Sequence, residues 1–177
     1  MNAKANNTID KVRQLQRNLY LSAKKGRRRY HAVYDKVYRE DVLKEAWKRV
    51  RANKGAGGID EVTVTDIERY GIEKFLTEIR VALMDNRYKA PPVKRVFIAK
   101  GDGKQRPLGI PTVKDRVVQM AVKLMIEPLF EADFKDNSYG FRPKRSAKMA
   151  LEEVRKACNN KGYYVIDADI KSYFDNI

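Results

Sequence analysis

Asp167 and Asp169 lie near the end of the chain in Val165-Ile166-Asp167-Ala168-Asp169-Ile170, a β-branched run that reads as a buried strand. Their two-residue spacing puts both carboxylates on one face of such a strand. An unpartnered carboxylate is costly to take out of water, so a metal, a cation or a catalytic task is the expected reason for one there. A second pair with chemistry in reach is Lys100 and Arg106, on either side of Gly101-Asp102-Gly103. Across a hairpin turn these cations are near neighbours, an arrangement that suits a triphosphate or a phosphate backbone and equally an exposed hairpin with ordinary surface charge. A third cluster is Lys24-Lys25-Gly26-Arg27-Arg28-Arg29-Tyr30-His31. Guanidinium groups pair with phosphates, and both Arg and Tyr stack on unpaired bases, so the cluster fits RNA, or else a solvated helix end.

The elements that must position these groups follow from periodicity. A helix is expected from Thr8 to about Lys25, with Ile9, Val12, Leu15 and Leu19 on one stripe, and another from Tyr38 to Asn53, with Trp47 as a core anchor. Gly55-Ala56-Gly57-Gly58 requires unusual backbone angles or a close approach to something. It lacks the Gly-Lys-Ser/Thr ending and preceding strand of a P-loop, which argues against nucleotide-triphosphatase chemistry. Thr65 and Glu68 have the form of a capping box for a short helix ending near Gly71, and Ile72, Phe75, Leu76, Ile79 and Leu83 form the next apolar stripe. Pro91-Pro92 breaks the helical pattern, and strands are expected over 93–100 and 104–110. Thr112 and Asp115 again read as a capping box, opening a helix that runs to Pro128. Ser146 caps a last helix bearing Ala147, Ala150, Leu151, Val154 and Cys158, on which the thiol is expected to be buried and inert.

The 177 residues, 43% of them hydrophobic, are enough for one sizeable core. A single cysteine excludes an internal disulfide, and with no apolar run of signal or membrane length the chain reads as cytoplasmic. The net charge of +15 is concentrated. Residues 1–31 carry nine basic side chains against Asp10, and residues 87–116 carry nine against Asp102 and Asp115; elsewhere the two signs balance at twenty each. Two positive surfaces for a polyanion are therefore expected, and neither window has the wide aromatic face of a membrane-surface helix.

Residues 94–119, from Lys94-Arg95-Val96-Phe97-Ile98-Ala99-Lys100 through Arg106-Pro107-Leu108-Gly109-Ile110-Pro111-Thr112 to Gln119, resemble the first blocks of the group II intron reverse transcriptases, the intron-encoded maturases. Ser138-Tyr139-Gly140-Phe141-Arg142-Pro143 is similar to their next block, and Asp167–Ile177 to the block with the first catalytic aspartate. Arg51–Asp60 is similar to their N-terminal block. The resemblance covers residues 45 to 177, with its motifs in order. It implies an α+β fold: the fingers of a right-hand polymerase, with a β-hairpin packed on helices, plus the first strand of an incomplete palm. The corresponding domains are a basic helical extension (1–35), the fingers region (36–162) and the first palm strand (163–177).

The same resemblance implies roles. Lys100 and Arg106 grip an incoming dNTP, Asp169 binds Mg2+ in a two-metal site with help from the Ile170 carbonyl, and Phe174 is the gate against a ribose hydroxyl. Lys24, Lys25, Arg27, Arg28, Arg29, Lys54, Arg95 and Arg142 are expected to face template or intron RNA, with a primer completing the substrate set. Such chemistry needs several carboxylates for the metals and cations for the triphosphate. The family's Tyr-x-Asp-Asp hairpin does not occur in these residues, so the chain is expected to be an N-terminal part, inactive alone, whose uncovered palm surface favours self-association. The competing reading is a stand-alone RNA-binding module that assists intron splicing. A sugar-nucleotide transferase, for which Asp167-Ala168-Asp169 has a metal-binding form, fits the basic windows poorly.

Overall fold

The computed structural model describes residues 3–26, 30, 33–99, 101, 103, 105–160, 164–171 and 173. The fold is α+β: helices with a two-stranded antiparallel sheet. It divides into two compact units, residues 1–133 and 134–177.

The first unit contains α1 (Ala3–Lys24), α2 (Tyr34–Val37), α3 (Glu40–Ala52), α4 (Val64–Tyr70), α5 (Ile72–Met84), β1 (Lys94–Ala99), β2 (Gln105–Ile110) and α6 (Val113–Asp133). Helix α6 is the centre, packed by α1, α2 and α3. Val113, Val117, Ala121, Leu124 and Met125 recur at helical spacing and are fully buried. The buried Val, Leu and Met side chains each contribute roughly 1.5–3 kcal/mol relative to exposure, and Ala121 less. Trp47 of α3 is the expected anchor, buried edge-on against Phe75 of α5 with ring centres 5.7 Å apart. On α1, Val12 and Leu19 enter this same core, and the Gln16 side-chain amide donates to the Leu124 carbonyl at 2.9 Å. The basic N-terminal helix is thus part of the first unit's packing.

Two helix boundaries differ from the sequence pattern. The capping box of α4 uses Thr63 and Asp66 in place of Thr65 and Glu68: the Asp66 amide donates to Thr63 Oγ1 at 3.3 Å and the Thr63 amide to Asp66 Oδ2 at 3.0 Å. Both pairs satisfy the spacing rule, and Ile67, buried four residues before Gly71, fixes which turn faces the core. At the other end of the unit, α6 continues through buried Pro128 to Asp133, because burial of that face outweighs the lost backbone donor.

The second unit holds the loop 134–146, α7 (Ala147–Asn159, capped by Ser146 as expected) and the segment 164–170. The expectation of an inert buried thiol is overturned, since Cys158 is exposed along with Leu151 and Val154. Amphipathic spacing fixes that a helix has an apolar face without fixing what covers it, and every member of the buried core lies between Val12 and Met125. Residues 164–170 likewise form no strand, and Val165 is 83% exposed. A β-branched run becomes a strand only against a hydrogen-bonding neighbour, and the ladder among the described residues is β1 with β2 alone.

Candidate nucleic-acid and nucleotide site

The β1–β2 hairpin is exposed along nearly its whole length, and its base is fastened to the start of α6 from both sides. On the incoming side, the Arg87 and Tyr88 amides turn back onto the Ala82 carbonyl at 2.9 and 3.0 Å, and the Tyr88 hydroxyl donates to Asp115 Oδ1 at 2.8 Å. Asp115 is buried; its Oδ2 accepts from the Gln119 amide at 2.6 Å and its backbone N–H donates to Thr112 Oγ1 at 3.1 Å. The Thr112 half of the expected capping box is therefore present, while the carboxylate is directed to Tyr88 and Gln119. Burial, and after it the Asp115 carboxylate, pushes the Tyr88 phenol well above its ordinary value.

On the outgoing side the glycine-rich loop closes against the same helix end. A Cβ on Gly58 would lie 2.6 Å from Thr112 Cα, and one on Gly57 would lie 2.8 Å from the Glu61 backbone. Arg116 Nε donates to the Pro111 carbonyl at 3.2 Å, and its Nη2 donates to the Ala56 carbonyl. Close approach, one of the two reasons expected for these glycines, is the one that operates at Gly58. Lys54, expected to face RNA, is exposed beside this loop at φ +44°, in a cleft lined also by Arg51, Thr63 and Glu68.

The register decides what each hairpin face carries. Lys94 is opposite Ile110, Val96 opposite Leu108 and Ile98 opposite Arg106; Arg95 is opposite Gly109, Phe97 opposite Pro107 and Ala99 opposite Gln105. Cross-strand partners share a face, so Arg106 stands with Lys94 among Val96, Ile98, Leu108 and Ile110. Arg95 and Phe97 occupy the opposite face. Neither Arg95 nor Arg106 has a carboxylate partner among the described residues, and the same holds for exposed Arg13 and Arg17 on α1. Other arginines of the first unit are matched: Arg39 with Asp41 at 2.7 Å, Arg49 with Glu45 at 2.8 Å and Arg51 with Glu68 at 2.5 Å.

Of the remaining expected site residues, Lys24 and Lys25 are exposed at the end of α1, where the Lys24 ammonium lies 5.5 Å from the Tyr20 ring centre. Asp167, Asp169 and Ile170 are exposed on the 164–170 segment. Lys100, Phe174, Arg27, Arg28 and Arg29 lie outside the described residues, as does His31. Arg142 is placed differently from the expectation of an RNA-facing surface. It is 9% exposed, its Nη1 donates to the carbonyls of Lys135 and Ser138 at 2.7 and 2.8 Å, and its guanidinium lies 5.0 Å from the Phe134 ring centre. A buried guanidinium must satisfy its donors locally, and here they organise the loop 134–146.

Magnesium needs about six oxygen ligands. No group of three or more acidic, His or Cys side chains that could hold a metal occurs among the described residues. The Asp169 carboxylate and the Ile170 carbonyl are too few donors, so the described residues do not fit a resident magnesium ion. Two residues with clear positions went without a role in the sequence pattern. Arg116 was signalled only through the glycines that approach it, and Phe97 through the strand alternation that sets it beside Arg95. No described helix is long and apolar enough to cross a membrane.

The reverse transcriptase (RNA-dependent DNA polymerase) family matches residues 98–177. The chain is 38% identical over 148 residues to Protein YkfC of Escherichia coli (strain K12), covering 80% of this chain and 38% of that protein. It is 36% identical over 148 residues to the Group II intron-encoded protein LtrA of Lactococcus lactis subsp. cremoris, covering 82% of this chain and 24% of LtrA. Nuclear intron maturase 1, mitochondrial, of Arabidopsis thaliana is 28% identical over 100 residues, or 52% of this chain and 14% of that protein. The chain thus spans between about a quarter and two fifths of the length of the first two. With the hairpin, the glycine-rich loop and the 164–170 segment falling in the order the motifs require, the chain belongs to the group II intron reverse transcriptase and maturase family.

Proposed function

We propose that these residues form the fingers region, with its basic N-terminal extension, and the first palm segment of an RNA-directed DNA polymerase. The observation that carries this reading is Arg106: a guanidinium without a carboxylate partner among the described residues, on an exposed hairpin whose base is fixed at both ends to α6. A cation so held is suited to neutralising a triphosphate without reorganising. Lys100, in the same turn region by sequence, is proposed as its partner, and Phe174 as the gate beside the sugar. The exposed cations Lys24, Lys25, Arg13, Arg17, Lys54 and Arg95 are proposed to meet template or intron RNA. Asp169 with Ile170 is proposed as one contribution to a magnesium site, which needs further oxygen ligands that the described residues do not gather around it. A polypeptide limited to these residues should accordingly bind structured RNA in a salt-dependent way and extend no primer.

The test replaces the residue matching Arg106 by Gln in a polymerase-competent relative. Nucleotide incorporation is expected to fall roughly 10²-fold, the scale for losing one positioned electrostatic stabiliser, with RNA affinity kept. Unchanged incorporation would overturn the nucleotide role. Parallel loss of RNA affinity would favour the second reading, an RNA-binding module assisting splicing, for which the uncompensated Arg13 and Arg17 on α1 are the supporting observation.

A further inference from the structure

We propose that the hairpin face carrying Arg95 and Phe97 is a stacking surface for unpaired bases of RNA, separate from the face that carries Arg106. This deepens the proposed function by taking RNA as the polyanion and assigning it a second surface. Phe97 is 60% exposed, although a phenyl ring in water forgoes the burial that ordinarily retains it. The cross-strand partners on its face are Gly109 opposite Arg95, Pro107 opposite Phe97 and Gln105 opposite Ala99, so a small residue faces the guanidinium and a flat one the ring. At Gly109 the space a Cβ would take is filled by Val93, whose Cγ2 lies 2.7 Å from that point. The result is an exposed ring and a guanidinium without a carboxylate partner among the described residues, two positions apart on one strand, with Val93 flanking the guanidinium. An aromatic ring for a base with an arginine for the adjoining phosphate is the combination that holds single strands.

The opposite face has the other character. Arg106 there is surrounded by Val96, Ile98, Leu108 and Ile110, aliphatic side chains with no ring to stack on. Charge selects the occupant of the Arg95–Phe97 face: residues 87–116 carry a strong positive excess, which favours a polyanion over an apolar protein surface.

The probe is a fluorescein-labelled oligouridylate of about a dozen nucleotides, within the span that single-strand sites cover, bound to the chain and read by anisotropy at fixed salt. Phe97→Ala should weaken binding roughly 5- to 100-fold, and Phe97→Trp should restore it. Arg95→Gln should reduce the slope of log affinity against log salt by about 0.7, one phosphate contact on a single strand. In the unaltered chain, photo-crosslinks from 4-thiouridine should map to residues 93–99, a readout independent of how any variant folds. Equal oligouridylate affinity of Phe97→Ala and the unaltered chain, or crosslinks that all fall outside residues 93–99, would overturn the inference. Those outcomes leave the proposed function standing, whereas absence of any salt-dependent RNA binding removes both.

Discussion

At the start of α6 the guanidinium of Arg116 is engaged with the carbonyls of Pro111 and Ala56, whereas ten residues earlier, on β2, that of Arg106 meets no carboxylate among the described residues. Both arginines belong to one positive window of the sequence, yet the window divides into an anchored base and exposed strands. At the base, cations and buried polar groups are used on the protein itself: Arg116 holds the glycine-rich loop, and Tyr88, Asp115 and Gln119 hold the chain that enters β1. On the exposed strands, Arg95 and Arg106 have no carboxylate partner among the described residues and are left for something else. A positive excess therefore locates a surface only after the arginines consumed by backbone carbonyls have been subtracted, and Arg142 makes the same point in the second unit.

The sharpest way to break the base without touching the exposed strands is Gly58→Ala. The added methyl would meet backbone atoms of Thr112 and Pro111, which cannot swing aside as a side chain would. Destabilisation of about 3 kcal/mol is expected, the upper part of the range for overpacking, measured by urea denaturation. A midpoint unchanged from the unaltered chain would mean that the loop does not pack on α6 in solution.

Next in size is Tyr88→Phe, which leaves buried Asp115 Oδ1 without its hydroxyl donor and should cost about 1–3 kcal/mol at neutral pH. Its pH dependence has a definite sign. The Tyr88 phenol is raised in the folded state, so the unfolded chain ionises first, near pH ~10. The stabilisation is fully present below that value and is lost progressively as pH rises from it toward the raised folded-state value. Stability of the unaltered chain should fall more steeply above pH ~10 than that of Tyr88→Phe. Parallel alkaline profiles would remove Tyr88 as the clamp on the incoming side.

The helices of the first unit were legible because apolar spacing and a real core agree: Trp47, the α5 stripe and the α6 stripe all point at neighbours present in the fold. The hairpin was legible from Gly101-Asp102-Gly103 and flanking strand formers, and its ladder from Lys94 to Ile110 lies within the expected strands. The α7 stripe and the β-branched run 165–170 have equally good patterns and yet are exposed, since periodicity reports a need for a partner and not its presence. Within the candidate site, residue type marked Arg95, Arg106 and Arg142 alike. Only three-dimensional accounting of donors distinguishes the buried brace from the two cations that lack a carboxylate partner among the described residues, and only register shows that this pair faces opposite ways.

The smallest effect on stability, and the one that tests the strands' counterpart on α1, is expected from replacing Arg13 and Arg17 together by Gln. Both are exposed on a helix whose other side carries Val12 and Leu19 into the core, and neither has a carboxylate partner among the described residues. Stability should therefore change by no more than about 0.5 kcal/mol, as for surface positions away from caps and networks. If α1 is a second RNA-binding surface, the salt dependence must record the loss of two phosphate contacts, a decrease in slope of about 1.4 for a single strand. Should the slope stay the same while stability is also unchanged, Arg13 and Arg17 serve solubility, and RNA is held by the other exposed cations.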